Sequence, residues 1–156
     1  MGRRHLIRIA VAAAISLVAA APAGAAIHWR PLADGSAAGG PAAPATVAYL
    51  ALDRAGTAQF SRRLPASART KIGQVQFGRD ALVAIFGEFG CRDHSVTVSS
   101  LDQAGTKLAV RLREEPPAPG TVACMAIFPT YRLLLVAKSQ LQIPFPTYAG
   151  VTLARA

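Results

Sequence analysis

Side chains that commonly carry catalysis are scarce in this sequence. Three histidines, two cysteines and eight acidic residues are spread over 156 positions. There is no Gly-x-Ser-x-Gly elbow, so a Ser-His-Asp hydrolase of that design is excluded. A glycine-rich phosphate loop is also missing, which removes the usual nucleotide-binding sites. No run of five bases occurs, and aromatics make up 6% of the chain. A single-strand nucleic-acid platform, which interleaves bases with stacking rings, is therefore not expected. No apolar stretch reaches the roughly 20 residues that a spanning helix needs.

What is present begins at the amino terminus. Met1 to Arg8 carries Arg3, Arg4 and Arg8 and no acid, and Ile9 to Ala21 runs without a charge. Pro22-Ala23-Gly24-Ala25-Ala26 follows, with small residues where a signal peptidase reads. A basic start, a short apolar run and an A-x-A exit make up a signal peptide. Residues 1–26 are accordingly read as one, with Ala23-Gly24-Ala25 as the cleavage motif. Arg3-Arg4-His5-Leu6-Ile7-Arg8 also fits a twin-arginine signal, so the export route is either general secretion or twin-arginine. No cysteine follows the apolar run, so lipid attachment there is excluded. The expected location is periplasmic or extracellular, with no transmembrane segment after cleavage.

The exported part, about 130 residues, suits one domain. Without Arg3, Arg4 and Arg8 it keeps 14 bases against 8 acids. That surplus favours anionic partners such as envelope polymers or an acidic protein face. Cys91 and Cys124 both lie in the exported part. Two cysteines in an oxidising compartment read as a disulfide. Closing that separation restricts the unfolded chain by roughly 3–4 kcal/mol on the loop-entropy model.

Residues 27–45 are rich in Gly, Pro, Ala and Ser and read as a flexible leader. The domain is expected over 46–156. Thr46 to Leu52 has strand preference, and Asp53 to Leu64, with Phe60 and Leu64 four apart, reads as a short helix ending before Pro65. Pro65 to Lys71 reads as a polar connection. Ala81 to Phe86 is apolar on both faces, as in a central strand covered on both sides. Val96 and Val98 alternate with Ser95, Thr97 and Ser99, giving a half-buried strand. After the turn signal Asp102-Gln103-Ala104-Gly105, Leu108, Val110 and Leu112 fall on one face and Lys107, Arg111 and Arg113 on the other. These two strands are expected to pair antiparallel. Pro116 to Gly120 bars pairing through it. Val122 to Phe128 and Arg132 to Lys138 read as further strands, and Val151 to Leu153 as an edge. The fold class is mainly β, with a small α+β arrangement as the variant: an antiparallel sandwich or small barrel of six or seven strands with one short N-terminal helix.

This order of elements resembles the C-terminal domain of the PrcB family, subunits of secreted bacterial protease complexes. The resemblance covers Thr46 to Leu141. It rests on Phe77 before the apolar strand, Gly87 closing it, Pro116-Pro117 after the basic strand, and Pro129-x-Tyr131 before the last apolar strand. It implies a small β domain in the cell envelope that binds a protein partner, such as an extracytoplasmic protease. Where that family has a Thr-Gly-Gly-Tyr-like turn, this chain has Gly90-Cys91-Arg92-Asp93-His94.

Cys91 to His94 is the one segment with reactive groups together. Cys91, His94 and Cys124 could ligate a metal, or Cys91 could act as a thiol beside a base. Export favours the Cys91–Cys124 disulfide over both. Asp93 and His94 are adjacent and point to opposite faces if both lie in a strand, so they form no relay. Glu114 and Glu115 are likewise adjacent and do not face one cleft as a glycosidase pair must. The expectation is a non-catalytic binding module without metal or cofactor. Its candidate contacts are the loop Arg92, Asp93 and His94 and the basic face Lys107, Arg111 and Arg113. The alternatives are a structural or polyanion-binding envelope protein, and a metal- or thiol-dependent protein using Cys91, His94 and Cys124.

Overall fold

The computed structural model describes residues 26–37, 46–88, 95–115 and 129–155. Residues 1–25 of the expected signal peptide 1–26, residues 38–45 of the expected leader, the Cys91 to His94 loop, the proline link and the strand expected at Val122 to Phe128 lie outside these residues. Among the described residues, seven strands form two sheets that do not close into a barrel, so the architecture is sandwich-like. One sheet contains β1 (Trp29–Ser36), β6 (Pro129–Ala137), β3 (Asp80–Glu88) and β2 (Val47–Ala51), in that order and all antiparallel. The other contains β4 (Ser95–Ala104), β5 (Lys107–Glu115) and β7 (Tyr148–Arg155).

Strand β3 behaves as its composition dictates. Ala81, Val83 and Ile85 pack toward the three-stranded sheet, against Leu101, Leu108, Val110 and Leu112. Leu82, Ala84 and Phe86 turn the other way, onto Phe60, Leu64, Ala68 and Ile72. The four-stranded sheet is therefore covered on both sides, and a short helical layer lies on its outer face. A strand buried on both faces must be apolar at successive positions, as this one is.

That helical layer differs from expectation. Residues 55–59 and 61–63 form tight 3-10 turns, and α1 (Ala66–Gly73) lies after Pro65 rather than before it. Phe60 and Leu64 are buried even so. Helix α1, which takes in most of the expected polar connection Pro65 to Lys71, buries Ala68 and Ile72, four apart. Proline is compatible with a helix start because the first N–H groups need no intrahelical acceptor.

The leader is also corrected. Trp29 to Ser36 forms β1, an edge strand on β6, with its register shift between Pro31 and Ala33. An edge strand tolerates Pro31, whose missing N–H breaks no central ladder. Ile27 is buried, and its N–H donates to the Leu101 carbonyl at 3.0 Å, tying the approach to β1 to β4. His28 and Gln140 exchange hydrogen bonds, with the His28 N–H donating at 2.8 Å and Gln140 Nε2 donating back at 3.1 Å.

Strands β4 and β5 pair antiparallel as expected, joined by Gly105-Thr106. Gly105 has φ +57°, the left-handed conformation that hairpin turns of this kind place on glycine. A bulge between Val98 and Ser100 shifts the buried set of β4 from Val96 to Leu101 and Gln103. The edge strand β7 pairs with β5 in parallel, so this sheet is mixed rather than purely antiparallel. The chain reaches β7 by crossing from the other sheet through residues 138–147.

Candidate functional site

The basic face predicted from the alternation of β5 stands on the outside of the three-stranded sheet. Lys107, Arg111 and Arg113 are exposed, while Leu108, Val110 and Leu112 point into the sandwich. The neighbours on the same face are small or hydroxylated, apart from the acids Asp102, beside Ala109, and Glu115, which follows Arg113 in the alternation of β5. Register places Thr97 and Ala154 beside Arg113, Ser100 and Thr152 beside Arg111, and Gly150 beside Ala109. The face is consequently flat, and three long cations cover it.

Local contacts order two of these cations. Arg111 Nε lies 3.5 Å from Asp102 Oδ2, and the Ser100 hydroxyl donates to the same oxygen at 3.0 Å. Asp102 thus fixes the stem of Arg111 without burying the guanidinium. Lys107 lies across Gly150, where an added Cβ would collide with Lys107 Cε. Its ammonium reaches the Tyr148 ring, 5.9 Å from the centroid. Glycine at 150 therefore lets a lysine lie flat over the edge strand and meet an aromatic face.

The candidate loop Arg92, Asp93 and His94 and the cysteines Cys91 and Cys124 lie outside the described residues. The described ends around them are close together. Glu88 pairs with Pro129 at the end of β3 and β6, and Ser95 pairs with Glu115 at the end of β4 and β5. Among the described residues, no group of three His, Cys, Asp or Glu side chains is placed to hold a metal. No helix there is long and apolar enough to cross a membrane.

Two polar clusters escaped the reading of the sequence. Gln103 is buried, and its Nε2 contacts the carbonyls of Gly105, Gln142 and Pro144 at 3.0–3.2 Å, while its Oε1 accepts from the Gln142 N–H at 2.7 Å. It binds the crossing loop to the hairpin. The second cluster centres on Asp80 at the start of β3. Its side chain is 6% exposed and accepts from Arg30 Nη2 at 3.0 Å, with Arg79 Nη2 at 3.7 Å. Neither cluster is a local motif; the partners of Gln103 lie up to 41 residues away and Arg30 lies 50 from Asp80.

Comparison of the chain with protein-family models, with curated proteins and with solved structures finds no match.

Proposed function

We propose that this chain is an exported, non-catalytic binding module whose docking face is the outer surface of the β4–β5–β7 sheet. The observation that carries this reading is the flat, exposed cationic face of Lys107, Arg111 and Arg113, with Arg111 and Lys107 held by neighbours on the same face. Long cations on a rigid sheet suit an acidic protein surface, because charge complementarity sets register and speeds encounter. The PrcB-like order of elements supports a protein partner in the envelope, such as a protease. The signal-like residues 1–26 support export.

The Cys91–Cys124 disulfide belongs to the same reading. Cys91 lies three residues beyond Glu88 and Cys124 five before Pro129, and those two anchors face each other across β3 and β6. Extended chain covers about 3.3–3.6 Å per residue, so the two cysteines are within reach of each other. A staple there would hold the Arg92 to His94 loop beside the sheet end.

A photo-reactive residue at Thr152, exposed on the proposed face, tests the proposal in the cells that make the protein. One discrete adduct in the exported fraction is expected. No adduct, or a smear without a defined mass, would sink it. The same cationic face also suits an anionic envelope polymer. Retention on such a polymer that rivals the protein adduct and collapses with salt would favour that second reading.

A further inference from the structure

A second basic site lies on the opposite side of the four-stranded sheet, under the helical layer. Arg30, Leu32, Lys71, Val75, Arg79 and Leu135 line a groove of about 240 Å³, together with Asp80, Gln74 and Gln76. Arg30 stands on β1 opposite Leu135 of β6, and Lys71 overhangs from the last turn of α1. The groove is distinct from the β5 face, and nothing in the function proposed above requires it.

Its electrostatics are lopsided. Three cations share the groove with one carboxylate, and that carboxylate is buried. Asp80 holds Arg30 and Arg79 through one terminal nitrogen each, at 3.0 and 3.7 Å. A guanidinium has five N–H donors, so both arginines keep donors to spare. Lys71 Nζ has a 3.5 Å contact to the Leu32 carbonyl as its hydrogen bond among the described residues. A buried acid that orients two arginines beside a loosely held lysine is a pre-ordered anion site, because the donors need little rearrangement to receive a second negative group.

Besides Gln74 and Gln76, the remaining wall is apolar. Val75 and Leu135 are buried beside Leu32, in the same cluster as the helical layer. A bare inorganic anion gains nothing from such a floor, whereas an anion on an apolar stem does. The volume falls below the roughly 300–1,000 Å³ of pockets for whole drug-sized ligands, so it matches a single residue. We propose that this groove receives the terminal carboxylate of a peptide ending in an apolar residue, with Lys71 and Arg79 on the carboxylate and Leu32, Val75 and Leu135 under the side chain.

Amide-resolved NMR titration of the full chain tests this with N-acetyl-leucine, its carboxamide, acetate and inorganic phosphate as probes. N-acetyl-leucine should give saturable shifts at Gln74, Gln76 and Arg79. The carboxamide and acetate should each bind about tenfold more weakly, having lost the charge or the stem. Lys71→Gln should weaken N-acetyl-leucine about tenfold, as for one charge-assisted contact, and Lys107→Gln should leave it unchanged. Lys71 is exposed and its substitution should leave the amide spectrum otherwise intact, which separates lost binding from lost folding. The proposal is overturned if no shift saturates, if phosphate or acetate binds as well as N-acetyl-leucine, if the carboxamide binds equally, or if Lys71→Gln has no effect.

Discussion

Arg30 is exposed and would pass for a solubilising cation, yet it supplies the 3.0 Å partner of a carboxylate that is almost wholly buried. Arg30→Ala would leave Asp80 with Arg79 at 3.7 Å and little water. A buried charge that loses its closest partner is costly, so destabilisation of about 2 kcal/mol is expected in urea unfolding. Loss below about 0.5 kcal/mol, the usual range for surface substitutions, would mean that Arg79 or water replaces Arg30. Gln103 follows similar logic with neutral groups. Gln103→Leu keeps the volume but strips the Gln142 N–H of its acceptor, at a cost of about 1–3 kcal/mol. Faster amide exchange at Gln142 than in the wild type is the specific sign; an unchanged rate would show that the loop is held by other contacts.

At the scale of elements, the helical layer contributes packing. Phe60 is fully buried and touches the rings of Tyr49 and Phe86, with centroids 5.8 and 6.3 Å away. Phe60→Ala should cost about 3–5 kcal/mol, while Arg62→Ala on the exposed side of the same segment should stay within about 0.5 kcal/mol. Equal effects, measured by thermal or urea unfolding, would contradict the burial of this layer. What could be read from the sequence divides along the same lines. The β4–β5 hairpin was legible because Leu108, Val110 and Leu112 alternate with cations and Gly105 marks the turn. Strand β3 was legible because two buried faces require an unbroken apolar run. Strand β1 was not, since Trp29-Arg30-Pro31-Leu32-Ala33-Asp34-Gly35-Ser36 alternates poorly and finds its ladder partner, β6, about 100 residues away. Helix α1 was hidden because Pro65 looks like a stop in the sequence but opens a helix, with Ala68 and Ile72 as the buried pair. The parallel direction of β7 is set by the crossing loop, which no periodicity reports.

For the whole molecule, the layers separate the two basic sites. The β5 face was visible as three cations at period two; the groove at Asp80 joins β1, α1 and β3, and only folding assembles it. Export and the disulfide are tested together by intact mass. The protein recovered from outside the cytoplasm should lack the residues up to about Ala25 and gain the mass of two hydrogens on reduction. An uncleaved chain, or two free thiols with bound zinc, would contradict that account and favour the Cys91, His94 and Cys124 site. The docking face itself is tested most directly by the size of the native assembly. Wild-type protein in a gentle extract of the exported fraction should elute as a complex larger than the free chain. Arg111→Glu with Arg113→Glu should return it to the free-chain position while the purified variant keeps its fold. A complex that survives this charge reversal unchanged, or a wild-type chain that elutes alone, would contradict the proposal that the β4–β5–β7 face binds a partner.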